Sequence, residues 1–186
     1  MFRRSSVIAM LIFSSLVQAM EASPLYQIDL IVFSHQLDSS LVPELSLHST
    51  LSSASSQAIP LQTEANKNLT PYHLLPPSFS QLREEYWALH RKSQYRILMN
   101  YSWLQPLNNQ SSIALPKINR EGWQVEGNIR IKLANYYLFD TELLFSGPGD
   151  NHHPFVFAQK LRLKGGDIYY LDHPQVGMLI KIHKLA

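Results

Sequence analysis

The sequence predicts an α+β fold, mainly antiparallel β-sheet with one principal amphipathic helix packed on a face. Three observations carry this. Apolar residues alternate at period two along most of the chain, and only one stretch, opening at Ser78, shows helical spacing. The chain closes on Gly165 to Ile182, GGDIYYLDHPQVGMLIKI, which reads as a glycine turn and a terminal hairpin bent at Asp172-His173-Pro174. No second helix of comparable length is present to cover a parallel sheet.

At the N-terminus, Arg3 and Arg4 precede an apolar run from Val7 to Val17, and Val17-Gln18-Ala19 places small residues at the −3 and −1 positions. This is the pattern of a secretory signal peptide, residues 1–19, cleaved after Ala19. The run is shorter than the ~20 residues that a membrane span requires, so no span is expected after its removal. Residues 20–186 then form a single α+β domain containing a Ser/Pro-rich loop at about 38–77. The sequence has no cysteine, so the domain uses no disulfide even in an oxidising compartment. Removing Arg3 and Arg4 leaves basic and acidic side chains equal in number, which gives the mature chain no electrostatic claim on nucleic acid.

Leu25 to Phe33 is apolar on both faces, as befits a strand deep inside a sheet. Between Asp38 and Pro77, serine is frequent and Pro43, Pro60, Pro71, Pro76 and Pro77 break any period, so this is a long crossing loop. Ser78 and Gln81 have capping-box spacing, and Phe79, Leu82, Tyr86 and Leu89 would face the sheet. Tyr95 to Trp103 is a second strand, with Tyr95, Ile97, Met99, Tyr101 and Trp103 on one face, giving a βαβ-like opening. A short strand is possible near Ile113 to Ile118.

From Ile129 to Phe145 the odd positions stay largely apolar over a length that exceeds one ordinary strand, so a hairpin is expected with its loop at Ala134, Asn135 and Tyr136. Phe155 to Leu163 alternates again and carries Lys160, Arg162 and Lys164 on its other side. Gly165-Gly166 is then expected to turn this strand directly onto Ile168 and Tyr170, keeping their face inward. Met178 to Ile182 completes the sheet.

Chemistry is sparse. Asp150, His152 and His153 resemble metal ligands, but neighbouring histidines in a polar loop rarely converge on one ion, and no metal or other cofactor is expected. Asp172 and His173 could suggest an acid-base pair, yet consecutive residues of an extended chain point apart and both suit a turn before Pro174. No nucleophile elbow, phosphate loop or paired-cysteine site is present, which argues against an enzyme.

Four segments together are similar to the CsiV family of periplasmic peptidoglycan-binding proteins. They are YQIDLIVF, YRILMNYSWLQP from Tyr95 to Pro106, EGNIRIKLANYYLFDTELLF from Glu126 to Phe145, and IYYLDHPQVGMLIKI from Ile168 to Ile182. The most specific element is Tyr170, Asp172, His173, Pro174 and Gly177, positions read as structural. Leu104 and Phe139 depart from the family, which tends to have arginine and histidine there, and Lys160-Leu161-Arg162 replaces a double-arginine run. The resemblance implies a non-enzymatic periplasmic protein that associates with peptidoglycan and supports wall synthesis and cell shape. Its implied partners are a class A penicillin-binding protein and that enzyme's outer-membrane lipoprotein activator. Trp103, Gln105, Tyr137 and Arg162 are the candidate wall contacts: rings to stack on sugars, and an amide and a cation for polar groups. A protein-interaction module that never touches glycan, and a wall hydrolase, are the alternatives.

Overall fold

The computed structural model describes residues 23–35, 57–64, 69–107, 111–148 and 153–185. The expected signal peptide, much of the Ser/Pro-rich loop, and Asp150 and His152 lie outside these residues. Strand β1, Leu25–His35, is buried from Tyr26 to Ser34, because both of its faces are apolar enough to require cover. It sits between two antiparallel neighbours, and these strands form a four-stranded sheet.

The remaining strands, in chain order, are β2 (Ile59–Pro60), β3 (Tyr95–Pro106), β4 (Ile113–Arg120), β5 (Trp123–Leu133), β6 (Tyr137–Ser146), β7 (Phe155–Leu163), β8 (Ile168–Asp172) and β9 (Val176–Lys184). The first sheet has the order β3-β1-β9-β8, and the second β2-β4-β5-β6-β7. One apolar core joins them: Ile28, Leu30, Trp103 and Ile180 from the first sheet meet Ile129, Phe139, Phe145 and Phe157 from the second. The opposite face of β1 presents Ile31 and Phe33 to Leu82, Tyr86 and Leu89 of the helical segment, whose regular part is α1, Arg83–His90.

The expected α+β class, the single helix on a sheet face, the loop at 134–136 and the terminal hairpin are all present. Other expectations are corrected. The alternating strands divide into two sheets, and β1 and β3 are antiparallel neighbours, so the opening is no βαβ unit. The helix begins after Leu82. Pro77–Phe79 forms a 3₁₀ turn, Ser78 caps nothing, and Ser80 Oγ accepts from the Leu82 N–H at 3.1 Å. Phe79 is exposed; only its carbonyl takes part in the packing, accepting from Gln27.

A bulge also divides the face predicted for β3. Val32 pairs with Met99 but Phe33 pairs with Ile97, so Leu98 is the extra residue. Tyr95 and Ile97 therefore pack under the helix, while Met99, Tyr101 and Trp103 pack toward the second sheet. Gly165 and Gly166 do not close a hairpin, because β7 pairs with β6 and β8 with β9. Gly166, at φ 85°, donates its N–H to Ile182 O at 2.8 Å and passes the chain between sheets. Ile168 and Tyr170 consequently face solvent, and Leu171 enters the core.

Between the first sheet and the helical segment lies a polar seam. Asp29 is fully buried and its Oδ1 accepts from Ser102 Oγ at 2.5 Å and from Gln27 Nε2 at 3.0 Å. Gln27 Nε2 also donates to Phe79 O at 2.8 Å, tying strand to 3₁₀ turn. Gln81 Nε2 donates to His183 Nε2 at 2.9 Å, which puts the ring proton on Nδ1, 3.9 Å from Asp29 Oδ2. Asp29 and Gln27 tolerate burial because they satisfy one another, whereas His183 Nδ1 is buried without a hydrogen-bond partner.

Two predictions follow from this packing. A Cβ on Gly177 would stand 2.5 Å from the Phe33 ring. Gly177→Ala should therefore cost about 1–3 kcal/mol in urea unfolding, with Phe33→Leu recovering part of the loss in the double variant. Burial holds the imidazoles of His183 and His173 below their usual range. The unfolded chain then binds more protons, so stability present above about pH 6.5 should fall as pH drops below it. A thermal-unfolding series should show that fall, and His183→Gln should flatten it.

Candidate functional site

The family-like corner runs from exposed Tyr170, Asp172 and Pro174 to buried Gly177. Gly177 lies under the Phe33 ring, and Tyr170 stacks on the same ring at 6.2 Å and 12°. Tyr170 donates its hydroxyl to Asp172 Oδ1 at 2.5 Å; desolvation, reinforced by this bond, drives its pKa above the ordinary tyrosine range. His173 points elsewhere: its ring stacks on Phe155 at 4.6 Å, and its Nδ1 accepts from the Gln175 N–H. Asp172 and His173 thus serve different neighbours and make no acid-base dyad. Pro174 follows at the bend, where the His173 N–H donates to Val176 O. Among the described residues, no group of three or more His, Asp or Glu could hold a metal ion.

The predicted wall contacts separate into two pairs. Trp103 is 0 % exposed and Gln105 1 %, and the indole Nε1 donates to Gln105 Oε1 at 2.7 Å. A ring buried between sheets offers no platform to a polymer, so the ligand role expected of these two residues is corrected: the amide satisfies the indole within the core. Leu104 and Phe139, where the sequence departs from the family, are also buried, so neither position lies on a ligand surface.

Tyr137 and Arg162 lie at the hairpin end of the second sheet. Tyr137 is half-buried edge-on to Tyr26 at 5.8 Å, and burial raises its phenol pKa. Arg162 is exposed, with its guanidinium 4.9 Å from the Tyr136 ring centroid.

The register aligns Lys132, Leu138 and Arg162 across β5, β6 and β7 on the face turned away from the core. The next row is Arg130, Asp140 and Lys160. There, Asp140 Oδ2 lies 2.5 Å from Arg130 Nη2 and 3.8 Å from Lys160 Nζ, so this row's charge is partly neutralised within the protein. Among the described residues, Arg162 has no acidic partner, and its guanidinium stands over an aromatic ring. That arrangement suits carboxylates, which a guanidinium can bind through two parallel N–H donors. Exposed Leu138 provides apolar contact within the row. Sequence reasoning identified Arg162 from its alternating cations. It counted Tyr136 only as one of many rings, without its pairing to Arg162, and missed Lys132, which only the register brings alongside.

No helix among the described residues is long and apolar enough to cross a membrane. A family model described as "Peptidoglycan-binding protein, CsiV" matches residues 5–185. No curated protein and no solved structure matches the chain.

Proposed function

The chain belongs to the CsiV family of peptidoglycan-binding proteins, and from that premise we propose that it holds peptidoglycan on the outer face of its five-stranded sheet. The supporting observation is the Arg162 guanidinium lying on Tyr136 in a row with Leu138 and Lys132. Glycan strands offer C–H faces to rings and apolar side chains, and the attached peptides offer carboxylates to the cations. A paired sheet holds these groups at fixed spacing, which reduces the ordering cost of binding.

The reading extends to a non-enzymatic periplasmic protein, delivered by a cleaved signal peptide. It would support wall synthesis and cell shape through a class A penicillin-binding protein and that enzyme's outer-membrane lipoprotein activator. The likeness of the terminal Tyr170 to Gly177 motif supports this extension. A second surface suits a protein partner: edge strand β8 exposes Ile168 and Tyr170 at 41 % and 52 %. Capture of the activator without any pelleting on wall would favour a pure interaction module.

Co-sedimentation of the mature chain with insoluble sacculi tests the wall reading. The wild type should pellet at low salt and less at high salt. Lys132→Gln with Arg162→Gln should weaken retention roughly three- to tenfold, on the scale of exposed ion pairs. Absence of wild-type pelleting would overturn wall binding, and unchanged retention by the double variant would overturn this face.

A further inference from the structure

A concave site lies apart from the Arg162 row, where the end of α1, the start of β3 and the β4–β5 turn meet. It is an open pocket of about 420 Å³. One wall is aromatic: the Tyr86 and His90 rings stack at 5.6 Å and 9°, and Tyr95 lines the same space. The other wall is basic. Lys92, Arg96 and Arg120 line the pocket with one acid, Glu121, so cations exceed acids there.

The turn supplying this acid is itself unusual. Glu121 at φ 51° and Gly122 at φ 82° form the two-residue connection between Arg120 and Trp123. Both central residues of such a turn need positive φ, which suits Gly122 but strains a glutamate. The strained Glu121 places its carboxylate 2.8 Å from Arg96 Nη1. On the same rim, Arg120 is exposed, and its one bond here, to Ile97 O, is long at 3.4 Å. The carbonyls at the end of α1 would repel an anion, but those of Trp87 and Leu89 accept from the Arg91 and Lys92 N–H groups. Lys92 Nζ stands 5.8 Å from the Tyr95 ring centroid, keeping a cation over the aromatic wall.

We infer that this pocket takes a carboxylate of a peptidoglycan stem peptide, paired with Arg120 while the neighbouring peptide atoms lie against Tyr86, His90 and Tyr95. The inference rests on the wall-binding reading for the source of the ligand and assigns that ligand's peptide to a site apart from the sheet face. Guanidinium, ammonium and rings around one opening match a short peptide carrying an anionic end. A bare sugar would bring no acid to Arg120.

The test is an NMR titration of the isotopically labelled mature chain with a free stem tetrapeptide and, separately, with the same peptide amidated at its carboxylates. The tetrapeptide should shift the amides of Tyr95, Arg96 and Glu121. Amidation, or Arg120→Gln, should weaken binding about tenfold or more, the scale of one hydrogen bond to a charged group. Arg120 is on the surface, and an unchanged remaining spectrum will show that the variant folds. Absence of tetrapeptide shifts in the pocket, or equal affinity for the amidated peptide, overturns the inference. If the wild type and Arg120→Gln pellet equally on sacculi while no tetrapeptide enters the pocket, this inference fails and the wall reading stands. If the peptide enters the pocket but the wild type does not pellet on sacculi, the pocket assignment stands and the wall reading fails.

Discussion

The fold depends on the double-sided burial of β1. A strand with apolar residues on both faces cannot stop at one layer of cover, because either exposed face would leave several large side chains in water. The second sheet covers Ile28, Leu30 and Val32, and the helical segment covers Ile31 and Phe33. The same strand carries Gln27 and Asp29, so the helical side is held by hydrogen bonds as well as by apolar contact. Ser102 and His183 enter this seam from the strands on either side of β1, making the short α1 an integral part of the sheet's packing.

This arrangement gives much of the family motif a packing role, apart from the sheet face proposed for the wall. Gly177, Tyr170 and His173 act on rings: Gly177 admits Phe33, Tyr170 lies on Phe33, and His173 joins the terminal hairpin to Phe155 of the second sheet. The first two pack the helix side of the first sheet, and His173 ties that sheet to the second. The groups proposed to meet the wall stand instead on the outer face of the second sheet and around the β4–β5 turn, where alternation turns Lys132 and Arg162 outward and Glu121 pairs with Arg96. A rigid interior of this kind lets exposed side chains differ without disturbing the fold.

Much of the fold could be read in the sequence. Period-two alternation identified the long strands, and the unbroken odd positions on either side of Asn135 located the β5–β6 loop, since three residues preserve the face. The division into two sheets could not be read, because a Gly-Gly turn within a hairpin and one that crosses between sheets look alike. Nor could the burial of Trp103: the alternation places its ring on a face, but only the second sheet determines that the face is covered. The Leu98 bulge was hidden for a related reason, as an extra residue leaves apolar character intact on both sides. Of the candidate wall contacts, Arg162 was legible from charge, whereas its neighbours Tyr136 and Lys132 required the register.

The most direct measurement of the central claim is hydroxyl-radical footprinting of the mature chain, free and bound to sacculi. Binding through the outer sheet face should protect Tyr136 and Leu138 while leaving the reactivity of exposed Tyr170 on β8 unchanged. Protection of Tyr170 with Tyr136 and Leu138 still fully reactive would contradict the account and move the contact to the edge of the four-stranded sheet.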